Sequence, residues 1–267
     1  MYRPDGLAAY LAEAGWDCSD VDILNVKLPG ESQQWHDLSC AVRWDQIHSD
    51  MQKGEYAAIA MGTPCETASR ARSGPPGPRP LRSPEHIYGL PKAMLTEAEH
   101  KQVQQGTYFA LKSSETATLA IELGIPGMIE NPDPTGNPVS LFNLPEWQSL
   151  MQQPAVKVID FHQCPLGAET RKPTRVIYWL MDLSGLAGQC SHAPQQWHYT
   201  DTKGASRLHW GPHPPLQDRI REDGSYATKA AAAWPSGMNE IIAACMAATR
   251  PKLQPIPYLP YPPEGQS

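Results

Sequence analysis

The sequence predicts an α/β fold: a parallel sheet with helices on both faces and a small irregular insert. Three observations carry that reading. Apolar runs of strand length alternate with runs of helical period along most of the chain, the pattern that builds parallel sheets. The 267 residues, 40% of them hydrophobic and 19% charged, are enough for one main domain with a real core, and they exclude a disordered or coiled-coil chain. The 28 prolines against 20 glycines predict stiff, irregular connections and argue against an all-helical fold.

The elements follow in order. Leu7, Tyr10, Leu11 and Ala14 repeat at helical spacing, with Asp5 placed to cap the helix and Gly15 to stop it. A short strand is expected over 18–23 and a helix over 42–51. The apolar run YAAIAM at 56–61 reads as a buried strand that stops at Gly62-Thr63-Pro64-Cys65. Residues 69–91 are rich in Pro, Gly and Arg and read as a long loop. Thr96-Glu97-Ala98-Glu99 fits a capping box and opens a long helix to about Leu123. Strands are expected over 127–129, 156–161 and 175–180. Ala230 to Ala248 reads as helix, broken at Trp234-Pro235. The division this predicts is a main domain over 1–183, an irregular insert over 184–226, a returning helix over 227–249 and a Pro-rich tail over 250–267.

The net charge of −6 argues against a surface that coats nucleic acid all over, while leaving room for a local basic patch. No apolar run is long enough to span a bilayer, and no signal-like segment opens the chain. The six cysteines are therefore expected as reduced thiols in a cytoplasm-like compartment. No two of them form a C-x-x-C pair.

Open α/β sheets place ligands at the carboxyl ends of their strands. Two tripeptides fall there. Thr63-Pro64-Cys65 would project a thiol from a rigid strand end into a cleft, where Arg70, Arg72 or a helix N-terminus could favour the thiolate. Taken alone, a buried inert cysteine is the commoner occurrence. Glu130-Asn131-Pro132 would mount a carboxyl on a turn fixed by proline, able to hydrogen-bond or protonate the ring nitrogen of a bound base; alone, it reads as a cap or an ion pair. Between them, 69–83 holds Arg70, Arg72, Arg79 and Arg82 and no acidic residue, which suits a phosphate-contacting flap. His162, Cys164, Cys190 and His192 could hold zinc, but their spacing matches no standard finger, so the expectation is structural cysteines, surface histidines and no metal. Trp197, Trp210 and Trp234 are expected to pack in the core or insert.

The ordered pair Pro64-Cys65 and Glu130-Asn131, separated by a helix and a strand, resembles the DNA (cytosine-5) methyltransferase family, in a divergent branch of viral or mobile-element type. The resemblance runs from about Arg3 to Ala248 and is thin over 184–226. It implies a Rossmann-like methyltransferase sheet and S-adenosylmethionine as cofactor. It makes Cys65 the nucleophile and Glu130 the acid, with Arg171, in GAETRKPTR, contacting the flipped-cytosine region or supporting the loop. Asp5, Gly6, Asp22, Ile23, Asp37, Leu38, Thr63 and Pro64 would line the cofactor site, and 230–242 would return to it. DNA is the implied partner. The chain departs from the family at three points: it begins where a Phe-x-Gly-x-Gly turn should have ended, it has Thr-Pro-Cys for Pro-Pro-Cys, and it has Glu66-Thr67-Ala68-Ser69 for Gln-x-Phe-Ser.

What the resemblance implies chemically is thiolate attack at C6 of cytosine, a carboxyl at N3, methyl transfer to C5 and release of the cysteine, on a base flipped out of the duplex. Two alternatives remain open. One is a relative that acts on RNA or transfers another alkyl group to C5. The other is a nucleic-acid-binding protein on a scaffold that has lost catalysis.

Overall fold

The structure, a computed structural model, describes residues 6–21, 36–72 and 77–249. The predicted cap Asp5, the predicted cofactor contacts Asp22 and Ile23, and the tail from 250 lie outside the described residues. Helix α1, Leu7–Glu13, starts at Gly6 as its N-cap. It ends in a Schellman turn, with Trp16 N–H bonded to Leu11 and Gly15 N–H to Ala12. Gly15 takes the left-handed conformation that this turn needs (φ 79°). Residues 18–21 form no strand, contrary to expectation.

Helix α2 spans Ala41–Gln52 and strand β1 spans Ile59–Gly62. Helix α3, Glu97–Glu122, carries both halves of the predicted capping box between Thr96 and Glu99. Strand β2, Gly127–Pro132, helix α4, Pro145–Met151, and strands β3, Val156–His162, and β4, Pro173–Trp179, complete the main unit. The insert is more regular than its composition implies. It folds as an antiparallel hairpin of β5, Gln195–Thr200, and β6, Ser206–Gly211, with Ile220 bridging Thr200 and Tyr226. Short helix α5, Ala227–Ala230, and helix α6, Ser236–Ala248, follow, with Pro235 at the N-cap of α6.

The four-stranded sheet has the order β1-β2-β4-β3. Strands β1 and β2 pair in parallel, but β4 runs antiparallel to both β2 and β3. The sheet is therefore mixed rather than parallel. The reason lies in the connection between β3 and β4, which holds only a single 3-10 turn over Cys164–Leu166. That is too little chain for a crossover, so adjacent strands must run antiparallel.

Helices cover both faces. Ile129, Ile177 and Trp179 point to one face, where Met51 of α2, Ala110, Ala117 and Ala120 of α3, and Trp147 and Leu150 of α4 pack on them. Met128, Val176 and Tyr178 point to the other face, against Leu7 and Leu11 of α1 and Met238, Ile242 and Met246 of α6. The alternation along β2 and β4 sets this division.

Gly127 shows how tight the centre is. A Cβ there would come within 2.4 Å of Cζ2 of Trp179 and 2.8 Å of the Ile59 carbonyl. Trp179 cannot swing away freely, because its indole N–H donates to the Ile125 carbonyl at 2.8 Å. Gly127→Ala is expected to lower stability by about 1–3 kcal/mol, the usual cost of overpacking. In urea unfolding the midpoint falls at an unchanged slope; a midpoint equal to wild type would contradict this packing.

Candidate active site at the ends of β1 and β2

Strand β1 stops at Gly62, in register with Glu130, and β2 runs two residues further to Pro132. The turn after β1 is bolted to its surroundings. Asn131 Nδ2 donates to the Thr63 carbonyl at 2.7 Å, and the Thr63 and Ser113 hydroxyls meet at 2.8 Å. Arg82 Nε and Nη2 both donate to Thr67 Oγ1, and Asn137 Nδ2 donates to the Ala68 carbonyl. Arg72 Nε reaches back to the Glu66 carbonyl. Gly106 of α3 lets this turn approach, since a Cβ there would lie 2.7 Å from Thr67 Oγ1. Cys65 therefore sits on a fixed mount.

Glu130 is buried, at 7% exposure, inside the last half of β2 rather than beyond it. Its Oε1 has no hydrogen-bond partner among the described residues and lies 3.6 Å from Lys172 Nζ. Lys172 arrives because β4 is antiparallel: its start pairs with the end of β2, Thr174 opposite Pro132. Lys172 adopts φ 32°, a strained backbone for a residue with a side chain.

Cys65 is half-buried. Burial first, and then the Glu130 carboxylate, push its thiol up to about 11, while the Lys172 ammonium pulls the other way. Cys65, Glu130 and Lys172 thus share one electrostatic environment. It combines a neutral thiol, a buried carboxyl oxygen that accepts no hydrogen bond among the described residues, and the ammonium paired with it.

The other predicted residues divide. Arg171 is exposed and acts electrostatically on His162, Cys164 and His213, while its neighbour Lys172 is the residue paired with Glu130. The signal was in the segment GAETRKPTR, but adjacent residues diverge, and spacing could not choose between them. The flap arginines bind the protein itself. Arg82 is sealed at 2% exposure between Thr67, Thr107 and the Ile87 carbonyl, and so cannot be a phosphate contact. Arg79 is paired with Glu99. Arg72 donates to Glu66, Arg79 and Gln102. Arg70, which donates to the Thr135 carbonyl, is exposed and remains the best placed of the four to meet a ligand.

Among the predicted cofactor contacts, Gly6 is the N-cap of α1 and Pro64 is exposed. Thr63 does not fit a ligand role, because both its hydroxyl and its carbonyl are engaged. Asp37 does fit. Bonds from the Ser39 hydroxyl and amide hold its carboxyl below the usual range, so it is a standing acceptor. The Leu38 carbonyl receives the Trp44 indole N–H. Cys40 and Asp45 of α2 act on Tyr108 of α3, and Ser113 of α3 touches Thr63. The start of α2, with Asp37, therefore lies toward the site's end of the sheet. Trp234 approaches the end of β1, 3.5 Å from where a Gly62 Cβ would stand. Trp197 is half-buried with its N–H on the Gly211 carbonyl, but Trp210 is exposed, contrary to expectation.

The zinc candidates also need correction. His162 Nδ1 accepts the Cys190 N–H at 2.8 Å, and His213 takes the fourth place beside Cys164, Cys190 and His192. A concavity of about 470 Å³ flanks that cluster, and a groove of about 660 Å³ lies between α2, α3 and α4; neither is lined by Cys65 or Glu130.

No family model, curated protein or solved structure matches the chain.

The raised thiol has a measurable consequence. Below about pH 11 the thiolate fraction of Cys65 rises tenfold per pH unit. Iodoacetamide labelling of the Cys65 peptide, followed by mass spectrometry, should accelerate about tenfold per unit from pH 7 to 9 without levelling. A gain that falls to about fivefold between pH 8 and 9, the behaviour of a thiol at its ordinary value near 9, would mean that the thiol is not raised.

Proposed function

We propose that the chain is an S-adenosylmethionine-dependent methyltransferase acting on C5 of cytosine in DNA, on a Rossmann-like sheet. The observation that carries the reading is that Cys65 lies within electrostatic reach of a buried Glu130 whose Oε1, 3.6 Å from the Lys172 ammonium, accepts no hydrogen bond among the described residues. A buried polar atom without a bond is costly, and a ligand atom that bonds it recovers that cost. N3 of an extruded cytosine is such an atom once a proton is shared between them, the carboxylic acid donating to the ring nitrogen.

The residues then divide the work. Cys65, once its proton is lost, attacks C6 and opens the aromatic ring to addition. Its neutral resting state means that the thiol proton must pass to a base before attack; the Glu130 carboxylate is the base the site offers and then carries that proton as the acid, while the nearby Lys172 ammonium favours the thiolate. Glu130 hydrogen-bonds or protonates N3 as charge moves into the ring. A positioned acid of this kind contributes typically about 10²–10⁴-fold. Asp37 and Leu38 would hold the adenosine part of S-adenosylmethionine, which when bound supplies an electrophilic methyl group. Loss of the C5 proton and departure of Cys65 complete the cycle. The base must leave the duplex first, at a cost of a few kcal/mol.

A second reading, a nucleic-acid-binding protein on a scaffold that has lost catalysis, is favoured by one observation: the thiol is held neutral rather than activated.

DNA carrying 5-fluorocytosine separates the two, because fluorine at C5 blocks the final elimination. With S-adenosylmethionine present, wild-type protein should give a denaturation-resistant adduct, Cys65→Ala none, and Glu130→Gln one that forms about 10²–10⁴-fold more slowly. An adduct that persists in Cys65→Ala, or none in wild type, overturns the assignment.

A further inference from the structure

The insert is joined to the main unit by four side chains from three stretches of chain. Cys164 lies in the 3-10 turn after β3, Cys190 and His192 lie in the approach to β5, and His213 lies two residues past β6. One sulfur or nitrogen atom from each falls within 4.8 Å of all the others. Cys190 Sγ is 3.2 Å from His213 Nε2 and 3.6 Å from His192 Nδ1. Zinc bound tetrahedrally at about 2.3 Å from sulfur and 2.0–2.1 Å from nitrogen sets sulfur and nitrogen roughly 3.6 Å apart. The Cys190–His192 edge equals that figure, and the Cys190–His213 edge, at 3.2 Å, is slightly shorter.

The surroundings are built for ligands rather than for loose polar groups. His213 Nδ1 lies 3.1 Å from the Glu169 carbonyl. That bond puts the proton on Nδ1 and turns the Nε2 lone pair toward the cluster, the arrangement that orients metal-bound histidines. The Glu169 carboxylate is held by Arg219 at 2.6 Å. His162 Nδ1 takes the Cys190 N–H, and His162 N–H takes the Gly188 carbonyl, so the stretch before Cys190 is fixed to the end of β3.

We propose that Cys164, Cys190, His192 and His213 bind one Zn²⁺ in a closed tetrahedral site that pins the β5–β6 hairpin to the β3–β4 connection. Two thiolates with two imidazoles in a tetrahedron select zinc over magnesium or calcium, and four protein ligands leave no open position for catalysis. The role is structural: Cys164 and Lys172 lie on the same short connection, so the metal also braces the segment that delivers Lys172 to Glu130. Binding converts two thiols to thiolates and releases two protons per metal ion. The proposal stands whether or not the chain transfers methyl groups.

The test uses the full chain purified from zinc-supplemented medium. Elemental analysis should find about one zinc per chain in wild type and in His162→Ala, and a loss of at least tenfold in Cys190→Ser and His213→Ala. Should those variants misfold, stripped wild type titrated with Co²⁺ should show the visible absorption of a tetrahedral thiolate site, saturating at one equivalent. Wild type without zinc, a Cys164–Cys190 disulfide found by peptide mapping, or zinc retained by His213→Ala but lost by His162→Ala would each overturn it.

Discussion

The last three residues of β2 are the constraint on which the site depends. Glu130, Asn131 and Pro132 are paired on the β4 side with Val176, Arg175 and Thr174, and Glu130 is paired on the β1 side with Gly62. Because successive strand residues face opposite ways, Asn131 can clamp the Thr63 carbonyl while Glu130 is left beside Lys172 and within electrostatic reach of Cys65. A one-residue slip would exchange the two roles. The antiparallel β4 is as necessary as the register, since only a strand that begins at this end of the sheet can deliver residue 172 there.

The arginines spend their positive charge on architecture. Arg82 is buried without a carboxylate, and desolvation lowers it to about 10. What makes its burial tolerable is a set of oxygen acceptors, from Thr67, Thr107 and Ile87, that satisfies the guanidinium fork. The same fork fixes Thr67, two residues beyond Cys65. A segment that looks like a ligand flap in the one-dimensional charge pattern is in large part the brace of the turn that carries Cys65. Preorganisation of this kind fixes the turn before any ligand arrives.

Much of the fold was legible in the sequence. The capping box at Thr96, the stop at Gly15, the break at Pro235 and the apolar strands all rest on local chemistry, and local chemistry survives folding. The direction of β4 did not, because strand alternation alone is silent on direction; the shortness of the β3–β4 connection was the available clue. At the site, Cys65 and Glu130 were legible as an ordered pair, since their positions are fixed by strand ends. Lys172 was not, because its side-chain direction is set by a left-handed backbone that no periodicity encodes. His213 was missed for a related reason. The β5–β6 hairpin folds twenty residues out between His192 and His213, and spacing-based reading favoured the nearer His162, whose ring turns instead to the Cys190 amide.

The Cys65–Glu130 pair and the Cys/His cluster thus meet at the β3–β4 connection, one at each end of a ten-residue stretch. Mass spectrometry of nucleosides from the DNA of cells expressing the chain addresses the central claim most directly. The account predicts 5-methyldeoxycytidine above background with the wild-type chain and not with Cys65→Ser at equal expression. Unmodified cytosine in cells that contain the folded wild-type protein, or modification undiminished by Cys65→Ser, would contradict it.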